Sequence, residues 1–313
     1  MNPHLFHSLI PRARIWTVFL SLSIASFVFT LPCPAQHSAK KDSMKKGILL
    51  VAFGTSEPAA QTAYDNLSRQ AAKRFADIPV RWAYTSGMIR RKLAGQGKLI
   101  DSPVTALAKM HDEGFTHVAV QSLHVVAGIE YEELREAVRL FGNGPSAFNR
   151  ITLGQPLLGG NDDLQRTAKA LLAEIPKQRQ SNEAVILMGH GTGKHPADLA
   201  YVAAAAVFNQ LDRMTFLGTV EGSPSFETVA QQCKAAGVKK AWLMPFMAVA
   251  GDHARNDMSG DDKDSWKSLL AAQGIQSECV LKGIAEYDSV AAIWMDHLAE
   301  AITRPSADSL NAR

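Results

Sequence analysis

One α/β pattern occurs twice along this chain, and that repetition limits the folds open to it. Gly47-Ile48-Leu49-Leu50-Val51-Ala52-Phe53-Gly54-Thr55 is answered by Ala184-Val185-Ile186-Leu187-Met188-Gly189-His190-Gly191-Thr192. Further on, Val126-Ala127-Gly128-Ile129-Glu130 is answered by Val249-Ala250-Gly251-Asp252-His253. Each copy opens on a short apolar run, as a strand buried on both faces requires, and glycines then allow a tight turn. The copies differ where chemistry would sit. Phe53 stands against His190, and Glu130 against His253.

Between these anchors, strand-like and helix-like segments alternate. In the first half, strands are expected over Ile48 to Phe53, Pro79 to Tyr84, His117 to Val126 and Ile151 to Leu153. In the second they are expected over Ala184 to Met188, Thr215 to Val220, Lys240 to Val249 and Glu278 to Leu281. Helices fill the intervals, and a last one runs from about Ser289 to Ile302. Such alternation predicts an α/β protein of two similar Rossmann-like domains with parallel sheets, related by a pseudo-two-fold axis. The expected boundaries are a linker over 36–46, a first domain over 47–178 and a second over 179–313. Ligands of such sheets bind beyond the carboxyl ends of the strands. His190, Glu130 and His253 are all expected there, with Glu130 just before a helix from Tyr131 to Phe141.

The N-terminus reads differently. Arg12 and Arg14 precede an apolar run, Ile15 to Leu31, followed by Pro32-Cys33-Pro34-Ala35. This is the pattern of a secretory signal, with cleavage expected after Ala35 and a periplasmic destination. A retained membrane anchor is the competing reading, although the run is short against the usual ~20 residues. The segment is the one expected contact with a membrane. Its removal takes two arginines and lowers the formal charge from +3 to +1, leaving no basic field to hold nucleic acid. It also leaves two cysteines, Cys233 and Cys279, either a disulfide or two thiols.

Gly189-His190-Gly191-Thr192-Gly193-Lys194 invites a phosphate-loop reading, but His195 stands where that loop needs a hydroxyl. No nucleotide is therefore expected. His253, after an apolar run and a glycine turn, is a candidate metal ligand or acid–base group, with Asp252 or Asp257 available to orient its ring. His124, inside an apolar run, reads better as structural. Arg90, Arg91 and Lys92 either pair with an acidic ligand or form a solvated helix face.

Taken in order, Val51-Ala52-Phe53-Gly54-Thr55-Ser56, Thr85-Ser86-Gly87-Met88-Ile89, Gln121-Ser122-Leu123-His124, Met188-Gly189-His190-Gly191 and Leu243 to Ala254 resemble the anaerobic cobaltochelatases of the CbiK type. Asn256-Asp257-Met258 and Asp261 to Lys267 continue the resemblance, which spans roughly residues 45–300. It implies the chelatase fold and an ATP-independent enzyme that inserts Co2+, or Fe2+, into the tetrapyrrole sirohydrochlorin. It implies that His190, His253 and Glu130 bind the metal and carry the catalysis. It places Phe53, Gly54, Thr55, Ser86, Met88 and Arg90 at the macrocycle. Haem binding and a homo-oligomer are compatible with it. An exported haem or metal carrier that keeps this fold is the alternative, suggested by the signal segment.

Overall fold

The computed structural model describes residues 44–304. The expected signal segment over 1–35 lies outside the described residues. Within them the chain forms two four-stranded parallel sheets. The first comprises β1 (Lys46–Ala52), β2 (Val80–Tyr84), β3 (His117–Ser122) and β4 (Arg150–Gly154), in the order β2-β1-β3-β4. The second comprises β5 (Ala184–Gly189), β6 (Thr215–Thr219), β7 (Lys240–Pro245) and β8 (Gln276–Cys279), in the order β6-β5-β7-β8. The two orders are the same, as the repeat predicts. β1 and β5 are central in their sheets, which is why Ile48 to Val51 and Ala184 to Ile186 are fully buried on both faces.

The helices of the first half are α1 (Gln61–Arg74), α2 (Gly87–Ala94), α3 (Pro103–Asp112), α4 (Ile129–Gly142) and α5 (Asn161–Leu172). Those of the second are α6 (Asp198–Leu211), α7 (Phe226–Ala235), α8 (Trp266–Ala272) and α9 (Asp288–Thr303). Serine sets four of the helix starts. Ser86, Ser102, Ser225 and Ser265 each accept a backbone N–H from the first turn of the following helix, a cap worth about 1 kcal/mol. Cys233 is buried and Cys279 half-buried, and both are free thiols. Burial pushes the Cys233 thiol up to about 12.

Two expectations change. β3 and β7 stop at Ser122 and Pro245 rather than running to Val126 and Val249. Leu123, Val125 and Val126 are buried, but in a loop. That loop still finds backbone partners: the Leu157 and Leu158 N–H groups donate to the His124 and Val125 carbonyls, 2.9 Å each. Ile284 and Ala285 do the same for Met247 and Ala248, at 2.9 and 3.1 Å. The apolar run thus reports burial, and buried backbone needs hydrogen bonds without needing a strand. Second, α4 begins at Ile129, so Glu130 lies in its first turn, where the helix dipole favours a carboxylate.

The last helix ties the halves together. α9 packs on β3 and β4 of the first sheet and on α5. It is apolar on several sides, with Val290, Ile293, Trp294, Met295 and Leu298 all buried. The Trp294 indole N–H donates to the His124 carbonyl at 3.3 Å. Asn66 of α1 donates in turn to the Ala285 carbonyl at 2.9 Å, a buried bond between the halves.

Candidate functional site

The site forms from four loops that leave the carboxyl ends of the central strands. After β1 the chain turns at Gly54 (φ 108°), and after β5 at Gly191 (φ 86°), conformations that favour glycine. A tyrosine of the next helix backs each turn. The Gly54 N–H donates to the Tyr64 hydroxyl at 3.2 Å, and the Tyr201 ring packs against Gly189, where an added Cβ would meet it at 2.8 Å. Burial raises the pKa of both phenols, so they stay neutral and able to accept. Tyr64 and Tyr201 occupy matched positions of the repeat, a signal in the sequence that reading only its ends misses.

The residues preceding these glycines are pinned alike. The Phe53 carbonyl accepts from the Ser86 N–H (3.1 Å), and the His190 carbonyl from the Glu221 N–H (2.8 Å). Their side chains face one another, with ring centres 6.5 Å apart. The halves also contact each other reciprocally. A Cβ added to Gly128 would lie 3.3 Å from the Thr192 methyl, and one on Gly251 would lie 3.8 Å from Thr55 Oγ1. Each strand-end loop therefore leans on the glycine turn of the opposite half.

This arrangement brings His190 and His253 together. Their rings meet edge to face with centres 4.7 Å apart. His190 Nδ1 lies 2.9 Å from the Gly191 carbonyl. A carbonyl only accepts, so Nδ1 carries a proton and Nε2 is the nitrogen left to bind a ligand. His253 Nδ1 lies 2.5 Å from Asp257 Oδ2, which again leaves Nε2 as the nitrogen without a protein partner. A π-helical turn, Ala254–Met258, follows His253 and carries Asp257. Such turns recur at functional sites because they redirect side chains within a helix.

Glu130 stands on the adjacent wall. Its Oε2 would lie 3.8 Å from a Cβ on Gly128, beside the Thr192 loop. Its charge acts on both His124 and Tyr201. Among the described residues no three His, Cys, Asp or Glu side chains gather into a group able to hold an ion. The paired imidazoles come together, and Glu130 does not close on them in this state. His124 is half-buried, with Nδ1 2.8 Å from the Ser122 hydroxyl. Desolvation drops its pKa to about 4, against the opposing pull of Glu130.

The remaining candidates separate. Thr55 is buried and its hydroxyl accepts from the Glu57 N–H at 3.1 Å. Ser86 caps α2. Phe53 and Met88 are exposed, at 45% and 71%. Arg90 is half-buried, and its Nε lies buried without a partner. Arg91 and Lys92 are exposed. Thr55, Ser56, Glu57, Tyr84 and Lys98 border a cavity of about 430 Å³ on the first-half flank of the site. A smaller cavity of about 190 Å³, at Lys46, His117 and Arg150, lies at the opposite strand ends, away from the imidazoles.

The family model Cobalt chelatase (CbiK) matches residues 46–303. A sirohydrochlorin cobaltochelatase, CbiKC, from Nitratidesulfovibrio vulgaris (strain Hildenborough) is 44% identical over 270 residues, covering 86% of this chain and 94% of the relative. The sirohydrochlorin cobaltochelatase of Salmonella typhimurium (strain LT2) is 38% identical over 266 residues, covering 83% and 97%. Among solved structures, SirB from Bacillus subtilis with Fe3+ superposes with a TM-score of 0.55 at 17% identity, covering 86% of this chain and 98% of SirB. That last likeness bears on the fold, which is the two-sheet chelatase architecture. With the family model spanning nearly all of the described residues and two relatives covered almost end to end, this chain belongs to the cobalt chelatase (CbiK) family.

Proposed function

We propose that this protein inserts a divalent metal, Co2+ foremost and Fe2+ as a second substrate, into sirohydrochlorin. The observation that carries the reading is the pair of imidazoles, His190 and His253, in contact with one another and each with Nδ1 engaged, so that Nε2 is the nitrogen left to bind a metal. Its substrate assignment rests on the relatives named as sirohydrochlorin cobaltochelatases.

The reaction exchanges two pyrrole protons of the macrocycle for one dication. The protein must strip water from the metal, present it to one face of the ring, and take up protons. Two neutral imidazole nitrogens suit Co2+ and Fe2+ as soft-to-intermediate donors. Glu130 is the carboxylate positioned to complete the metal's coordination as substrate arrives, or to accept a pyrrole proton. His124 is neutral at neutral pH and lies in the same electrostatic field, so it leaves the charge of Glu130 uncompensated. Phe53, facing His190, supplies an apolar surface on which the macrocycle packs. Gly54, Thr55, Ser86, Met88 and Arg90 frame the same side.

The signal-like segment Ile15 to Leu31 supports a periplasmic location for this chemistry. Cell fractionation, with the mass of the mature chain, tests that part on its own. The enzymatic part is tested by anaerobic insertion assays with His253→Ala. This variant is expected to lose Co2+ insertion while still binding sirohydrochlorin, and full activity would remove His253 from the scheme.

A further inference from the structure

Among the described residues five buried side-chain polar atoms lack a hydrogen-bond partner, and three of them surround this site: Ser56 Oγ, Arg90 Nε and Arg255 Nε. All three can donate. A buried donor without an acceptor costs about 1–3 kcal/mol, and its persistence around a site points to an acceptor that arrives with the ligand.

Arg255 is the most informative. It lies two residues past His253, in the same π-helical turn. The nearest carboxylate, Glu57 Oε2, stands 3.9 Å from its Nε, too far for a hydrogen bond. Glu57 belongs to the loop that follows Phe53 and borders the larger cavity. The guanidinium therefore reaches toward the first half, beside an acid that does not satisfy its Nε.

The repeat sharpens the point. Arg255 occupies the position matched to Glu132, just as His253 matches Glu130. Glu132 also reaches across the halves, with Oε2 3.6 Å from His195 Nε2. These two matched positions thus each approach the loop of the opposite half, with an acid at Glu132 and a cation at Arg255, two residues past His253. An evenly built cleft would have no reason for this difference. A macrocycle bearing carboxylates on its rim, presented in one orientation, does.

We infer that Arg255 is a carboxylate-binding residue that reads an acidic side chain of the tetrapyrrole and releases Glu57 as it does so. This rests on the sirohydrochlorin reading above. An incoming carboxylate satisfies the orphaned Nε with a charge-assisted bond, and the planar fork of arginine fixes its direction. Glu57 competes for the same guanidinium in the empty protein.

The test is an absorbance titration of the metal-free protein with sirohydrochlorin, for the wild type, Arg255→Leu, Arg255→Lys and Glu57→Gln. Arg255→Leu is expected to raise Kd about tenfold, the loss of one charge-assisted bond. Arg255→Lys should fall between it and the wild type, because the charge remains and the fork does not. Glu57→Gln should bind about threefold more tightly, as a weak, half-buried competing ion pair is removed. The KM for Co2+ at saturating tetrapyrrole should move less than about twofold in Arg255→Leu. If Arg255→Leu binds like the wild type while its KM for Co2+ rises, Arg255 merely props His253 and the inference is overturned. If Arg255→Leu does not fold, Lys and Gln variants that both bind like the wild type overturn it equally. A wild type that itself ignores sirohydrochlorin defeats the parent reading, an outcome visible before any variant is made.

Discussion

His253 and Asp257 are joined by a 2.5 Å contact between Nδ1 and Oδ2 across a π-helical turn. One carboxylate thereby fixes both the ring orientation and the tautomer of an imidazole whose ring centre lies 4.7 Å from that of His190. Orienting partners of this kind typically contribute 10–100-fold to metal affinity. Asp257→Asn is expected to raise the KM for Co2+ about tenfold with little change in sirohydrochlorin binding. Steady-state kinetics with each substrate varied separately would show the split. An equal loss toward both substrates would mean that Asp257 supports the turn as a whole.

The tyrosine behind the first turn predicts a stability loss. Tyr64→Phe removes the acceptor of the buried Gly54 N–H. It should cost about 1–2 kcal/mol, read as a lowered denaturation midpoint with unchanged denaturant slope.

Gly191 offers a more severe perturbation. Its φ of 86° disfavours any side chain, and an added Cβ would run into the backbone of Glu221 and Gly222. Gly191→Ala is expected to destabilise the protein by roughly 2 kcal/mol or more and to displace the His190 ring. Thermal unfolding and insertion assays on the same preparation would test both effects.

Much of this architecture is legible in the sequence, for a physical reason. Central parallel strands must be apolar on both faces, so Ile48 to Val51 and Ala184 to Ile186 announce themselves, and His190 follows β5 directly. The loops after β3 and β7 are harder. Leu123, Val125 and Val126 are as buried as strand residues while bonding outside the ladder, so hydrophobicity overstates the strand. The helical position of Glu130 depends on Gly128 being extended as the residue before the helix. Nothing in Ala254 to Met258 marks a π-helical turn, so the sequence offers both Asp252 and Asp257 to His253, and only the turn selects Asp257. α9 is recognisably a buried helix, but an apolar helix does not say which of two sheets it will cover.

His124 gives the protein a pH signature. Desolvation holds its pKa at about 4, below the ordinary value of 6.5. Between those values the unfolded chain binds a proton that the folded chain refuses, so stability falls as pH drops from 6.5 to 4. The contribution is on the order of 3 kcal/mol. Denaturation at a series of pH values should show His124→Asn with a flatter dependence across that window. An unchanged slope would assign the acid sensitivity to other groups.

The central claim is that the His190 and His253 pair delivers metal to a bound tetrapyrrole. It is tested most directly by mixing purified protein anaerobically with sirohydrochlorin and Co2+ and following the absorbance change. Catalytic turnover is expected in the wild type and is lost in both His190→Ala and His253→Ala, while each variant still binds sirohydrochlorin. Tight tetrapyrrole binding without turnover in the wild type would contradict it and identify a carrier built on the chelatase fold.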